Sequence, residues 1–113
     1  MTAAVKNLII EQKATFQKRL TYRDKSKKPI NLTGFAAAMQ IRDASGVLLA
    51  DLSTENGKIV LGGTAGTIIV TISADETSLM TFATAYYDLK LRQDLIETRL
   101  MQGKVTLSPG QTA

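Results

Sequence analysis

Between Phe35 and Arg42 the chain alternates: Phe35, Ala37, Met39 and Ile41 fall on one parity, and Ala36, Ala38, Gln40 and Arg42 on the other. Alanine alone favours helix, but the period of two and the preceding Gly34 predict a strand. The same period runs from Thr15 to Tyr22, with Phe16, Leu20 and Tyr22 on one face and Thr15, Gln17, Arg19 and Thr21 on the other. Lys18 interrupts that apolar face. Either that face is at a sheet edge there, or the lysine stem lies over the core with its ammonium in water; an inward lysine also protects an edge from stray strand pairing.

Other segments follow the same logic. Asn7 to Glu11 is a short apolar run and predicts the first strand. Thr67 to Ser73 turns Ile68, Val70 and Ile72 to the core, and Ala85 to Arg92 does so with Tyr87, Leu89 and Leu91. Thr98 to Ser108 changes phase: Leu100 has one parity, while Met101, Gly103, Val105 and Leu107 have the other. One extra residue near Gln102-Gly103, a β-bulge, would restore the register.

Between these strands lie turn signals. Arg23 to Pro29 is polar and ends in a proline that opposes a central strand, so it reads as an exposed turn. Asp43-Ala44-Ser45-Gly46 predicts a hairpin with Val47 to Leu52 as the return strand. Asn56-Gly57 closes the polar stretch Ser53 to Gly57 and predicts another hairpin into Lys58 to Leu61. Gly62 to Gly66 reads as a loose loop, since it lacks the Lys-Ser or Lys-Thr ending and following helix of a phosphate-binding loop.

One helix interrupts the strands. Ser73-Ala74-Asp75-Glu76 matches a capping box, with Asp75 adding charge at the positive end of the helix dipole. A helix of about two turns is expected over residues 74–81, held by packing of Leu79, Met80 or Phe82 and closing one end of the core. Short strands, tight turns and one short helix together predict an all-β fold, an antiparallel immunoglobulin-like β-sandwich. Its 113 residues suit a single domain over 1–110 with a short tail at 111–113.

Composition narrows the chemistry. The chain has no cysteine and no histidine, which removes disulfides, thiolate nucleophiles and the commonest metal ligand and proton-transfer group. The carboxylates Asp43, Asp51, Asp75, Glu76 and Asp88 have local explanations in turns, the helix start and a polar strand face. No Ser-x-x-Lys stands at a helix start. Catalytic, cofactor and metal sites are therefore expected to be absent. No apolar run approaches a membrane span, so no membrane partner is expected.

Charge is uneven. Residues 1–30 carry eight basic and two acidic side chains, a net +6, and the remainder nets −2. A solvated turn explains most of this. Lys25, Lys27 and Lys28 nevertheless form a candidate contact with an acidic partner, and Tyr86, which strand alternation leaves exposed while Tyr87 turns inward, is a candidate for a protein interface or for stacking on a base or sugar. Six Phe and Tyr in total are too few for a run of stacking platforms, which argues against nucleic acid as the partner.

The order of Ala14-Thr15-Phe16, Pro29 to Phe35, Met39-Gln40-Ile41-Arg42, Gly66 to Ser73, Ser73 to Thr77, Tyr87-Asp88-Leu89 and Gln102 to Pro109 resembles small bacteriophage virion proteins. It is similar to the N-terminal anchoring domains of baseplate upper and tail-fibre proteins. The resemblance implies a structural role in a tail, baseplate or head–tail assembly, with virion proteins as partners and homo-oligomerisation in a symmetric particle. No fibre follows Pro109, so a stand-alone connector, anchor or decoration protein is expected, assembled in the host cytoplasm. A glycan- or nucleic-acid-binding module and a non-virion assembly chaperone are the alternatives. Met1 to Asn7 is expected to order only against a neighbouring subunit.

Overall fold

The computed structural model describes residues 4–109. In chain order the described strands are β1 (Ala4–Val5), β2 (Leu8–Glu11), β3 (Phe16–Thr21), β4 (Ala36–Arg42), β5 (Leu48–Ser53), β6 (Ile59–Leu61) and β7 (Thr67–Ile72). The helix α1 (Ala74–Ser78) follows, then β8 (Thr84–Gln93) and β9 (Ile96–Ser108). A large sheet has the order β1-β9-β8-β4-β5, with β2 also on β9, and a small sheet has the order β3-β7-β6. The two sheets face each other as an all-β sandwich, consistent with the immunoglobulin-like type.

The expected inward faces form the core. Met39 and Ile41 of β4, Ile68, Val70 and Ile72 of β7, and Tyr87, Leu89 and Leu91 of β8 are all buried. Leu8 and Ile10, Leu52, Ile59, Met101 and Val105 complete the same cluster. Each fully buried aliphatic side chain contributes about 1.5–3 kcal/mol relative to exposure, and this shared burial holds the sheets together.

The pairing is antiparallel except at the N-terminus. β1 and β2 run parallel to β9, with Ala4 opposite Met101 and Leu8 opposite Val105. Residues 4–7 are thus ordered within the chain itself, contrary to the expectation that they need a neighbouring subunit: Lys6 N–H donates to the Gln102 carbonyl at 2.9 Å, and Asn7 Oδ1 accepts from Lys104 N–H. Met1 to Ala3 and the tail from Gly110 lie outside the described residues.

Several local details differ from the pattern. The helix ends at Ser78 and not Thr81, and Leu79 is its C-cap with a side chain 81% exposed. Met80 and Phe82 provide the packing beneath it. The bulge in β9 falls at Leu100, since Leu89 faces Met101 while Lys90 faces Arg99, two residues before Gln102. Thr98 and Met101 can therefore both follow the inward face of β8. In β5 the register shift skips Leu49, so Leu48 and Leu49 stay largely exposed and only Leu52 is buried.

Another concerns Asn56-Gly57, which is no hairpin. β5 and β6 belong to different sheets, and β6 pairs with β7 instead. The Asn56 side chain organises the crossing, accepting from Ser53 and Lys58 N–H and donating to the Asp51 carbonyl. By contrast the Asp43 turn is the hairpin expected, with Asp43 Oδ1 accepting from Ser45 and Val47 N–H. Gly62 to Gly66 is more ordered than a loose loop. It contains a 3-10 turn, and at Gly66 a Cβ would sit 2.9 Å from the carbonyl oxygens of both Tyr22 and Ile30.

Candidate docking surfaces

The lysines follow from a turn organised by one carboxylate. Asp24 Oδ1 accepts from Ser26 and Lys28 N–H, and Asp24 N–H donates to the Lys28 carbonyl. Lys27 takes a positive φ of 66° to close the turn. Lys25, Lys27 and Lys28 are exposed on its surface.

Tyr86 lies elsewhere. It is 44% exposed on the outer face of the large sheet, opposite Arg42 of β4 and Lys104 of β9. Cations on both flanking strands place it where cross-strand cation–π attraction is available. Register puts Arg42 and Tyr86 near the end of the sandwich that carries α1, whereas the lysine turn leaves β3 at its Thr21 end, beside Gly66. The four candidate residues therefore belong to two separate surfaces, not one.

Three carboxylates do converge. Asp43, Asp51 and Glu76 line a recess of about 600 Å³ between β5 and α1, together with Lys58. Strand alternation could not announce this, because the residues come from a turn, an edge strand and a helix in both sheets' surroundings. Lys58 Nζ donates to Glu76 Oε2. That bond, helped by Ser73 and opposed by partial burial, holds the Glu76 carboxyl below its ordinary value. Among the described residues no three carboxylates are grouped closely enough to hold a metal ion. Asp88 stands apart, paired with Arg99 at 3.6 Å.

A surface that the sequence did not single out lies on the opposite side. Between β3 and β1 runs a groove of about 580 Å³ lined by Lys6, Lys18, Arg19 and Arg23, with Leu20 and Leu100 among its apolar walls. Lys18 was legible as a break in an apolar face, with a sheet edge as one of two readings. Its convergence with Lys6 was not, because the parallel return of the N-terminus to β9 creates the second wall.

Fold and surfaces together describe an all-β sandwich with charged lateral edges. The fold is similar to the N-terminal domain of phage TP901-1 ORF48, over 96% of this chain and 99% of that one, with a TM-score of 0.57 and 10% identity. It is also similar to a structure from photo-crosslinking analyses of multimeric cell-adhesive interactions of VGSC beta subunits, covering 96% of this chain and 93% of that one, with a TM-score of 0.51 and 11% identity. At such identities the likeness is one of fold. No protein-family model matches the chain, and no curated protein matches it by sequence.

Proposed function

We propose that the chain is a structural component of a bacteriophage virion, acting as a connector, anchor or decoration protein in a tail, baseplate or head–tail assembly. The observation that supports this most is the end-to-end likeness of fold to a domain of a phage protein. It agrees with the order of motifs that resembles virion anchoring domains. In this reading the protein works by docking to other virion proteins and not by catalysis. The lack of histidine and cysteine and the local pairing of its carboxylates favour that role.

Quantitative mass spectrometry of purified particles of the encoding phage tests the proposal. Multiple copies per mature particle are expected. A protein abundant in infected cells and missing from mature particles would instead be an assembly factor.

A further inference from the structure

The two lateral edges of the sandwich are incompletely covered and carry opposite charge. On one side β3 ends the small sheet, and none of its six residues is buried. No described strand pairs with its outer edge. Tyr22 N–H donates to the Gly66 carbonyl, so antiparallel alternation turns the main-chain groups of Lys18 and Leu20 towards β7. Those of Gln17, Arg19 and Thr21 point outward, where they form a template for another strand. Beside this edge is the groove of Lys6, Lys18, Arg19 and Arg23, which no carboxylate lines. Among the described residues none of these four makes an ion pair.

On the other side β5 ends the large sheet; no described strand pairs with its outer edge, where the Asn56 side chain takes up the Ser53 N–H and the Asp51 carbonyl. Asp43, Asp51 and Glu76 line the adjoining recess against the single cation Lys58. Leu49 and Leu79, 36% and 81% exposed, stand at the same recess.

We propose that these edges are the two halves of one head-to-tail interface, in which the β5–α1 side of one copy docks on the β3–β1 side of the next. Carboxylates then meet unpaired cations, and the exposed leucines cover the apolar walls at Leu20 and Leu100. Lys18 on the inner face of β3 opposes indiscriminate strand addition, and a partner edge bearing carboxylates relieves that opposition. The molecule measures 44 × 26 × 25 Å, so a lateral face can supply the roughly 800 Å² per partner of a standard interface. Because the patches differ, successive copies form a ring if the rotation closes and a filament if it does not. The interface rests on this chain's edges and not on the virion reading: a virion component could be monomeric in solution, and a non-virion protein could assemble this way.

Sedimentation velocity of the full chain across concentration and salt provides the test. Wild type should associate with increasing concentration, and salt should weaken the association. A basic-edge variant, Lys18→Glu with Arg19→Glu, and an acidic-edge variant, Asp51→Lys with Leu79→Lys, should each weaken it by at least about tenfold. Mixing the two variants should restore binding, since each retains the edge that the other lacks. All four side chains are exposed or half-exposed, and melting curves verify that the variants fold. A wild type that stays monomeric at its highest soluble concentration overturns the proposal, with or without salt-sensitive retention of single-stranded DNA by the groove. Association indifferent to salt and to both variants, or variants that do not complement each other, overturns it equally.

Discussion

The phenolic hydroxyl of Tyr87 donates to the main-chain carbonyl of Lys6 at 2.7 Å, tying the inner face of β8 to the break between β1 and β2. Burial pushes the Tyr87 hydroxyl above its ordinary pKa, because ionisation inside the sandwich loses water. The folded state therefore holds this proton more tightly than the unfolded one. Its contribution is fully present below the unfolded value near 10.0 and is lost as pH rises through the higher folded value. Tyr87→Phe should lower stability at neutral pH by about 1–2 kcal/mol, from one lost hydrogen bond and a carbonyl left without its partner. Wild type should also lose stability above pH 10 in a way that the variant does not share, read by urea unfolding at a series of pH values.

Gly103 makes that contact sterically feasible. A Cβ there would sit 2.2 Å from the Lys6 carbonyl oxygen and 2.8 Å from its carbon, both main-chain atoms that cannot swing aside. Gly103→Ala should push the N-terminal strand away from β9 and cost about 2 kcal/mol or more, within the range of overpacked sites. Amide exchange should accelerate first over residues 4–11, with β4 and β8 affected least.

The helix start gives an acid-side prediction. Ser73 Oγ accepts from Glu76 N–H at 3.2 Å, and Glu76 binds back to Ser73 while also pairing with Lys58. Since the folded pKa of Glu76 is depressed, its contribution is present above the unfolded value of about 4.5 and fades as pH falls through the folded value. Glu76→Gln keeps a capping acceptor but removes the charge. A loss of about 0.5 kcal/mol is expected at neutral pH for this screened pair, vanishing in strong acid. Thermal unfolding with pH checks it.

Thr77 is a small buried polar anchor. Its hydroxyl lies 2.8 Å from the Ala14 carbonyl and 3.1 Å from that of Ala74, joining α1 to the turn between β2 and β3. Thr77→Val preserves shape and should cost about 1–3 kcal/mol through the unpaired buried acceptor. Thr77→Ser, which keeps the hydroxyl, should recover most of the difference. Chemical denaturation of the two variants side by side separates hydrogen bonding from packing.

Much of the architecture was legible locally. Alternation identified the inward faces of β4, β7 and β8 because a strand's side chains change face at every residue. The Ser73–Glu76 box announced the helix, and the Asp43 turn announced a hairpin, since both depend on bonds between residues only a few positions apart. Asn56-Gly57 shows the limit: its turn chemistry was readable, but the sheet that received β6 was not.

The sequence by itself determined the sandwich class, the inward parity of its main strands and the exposure of Tyr86 and the Lys25–Lys28 turn. These follow from side-chain period and from short-range bonds. Only the tertiary structure decided that β1 and β2 return parallel to β9, that Tyr87 closes on Lys6, and that cations and carboxylates gather on opposite edges. Those depend on which distant strands become neighbours. Such choices rest on the shared burial of both sheets and on close approaches such as Lys6 against Gly103, which no local pattern encodes.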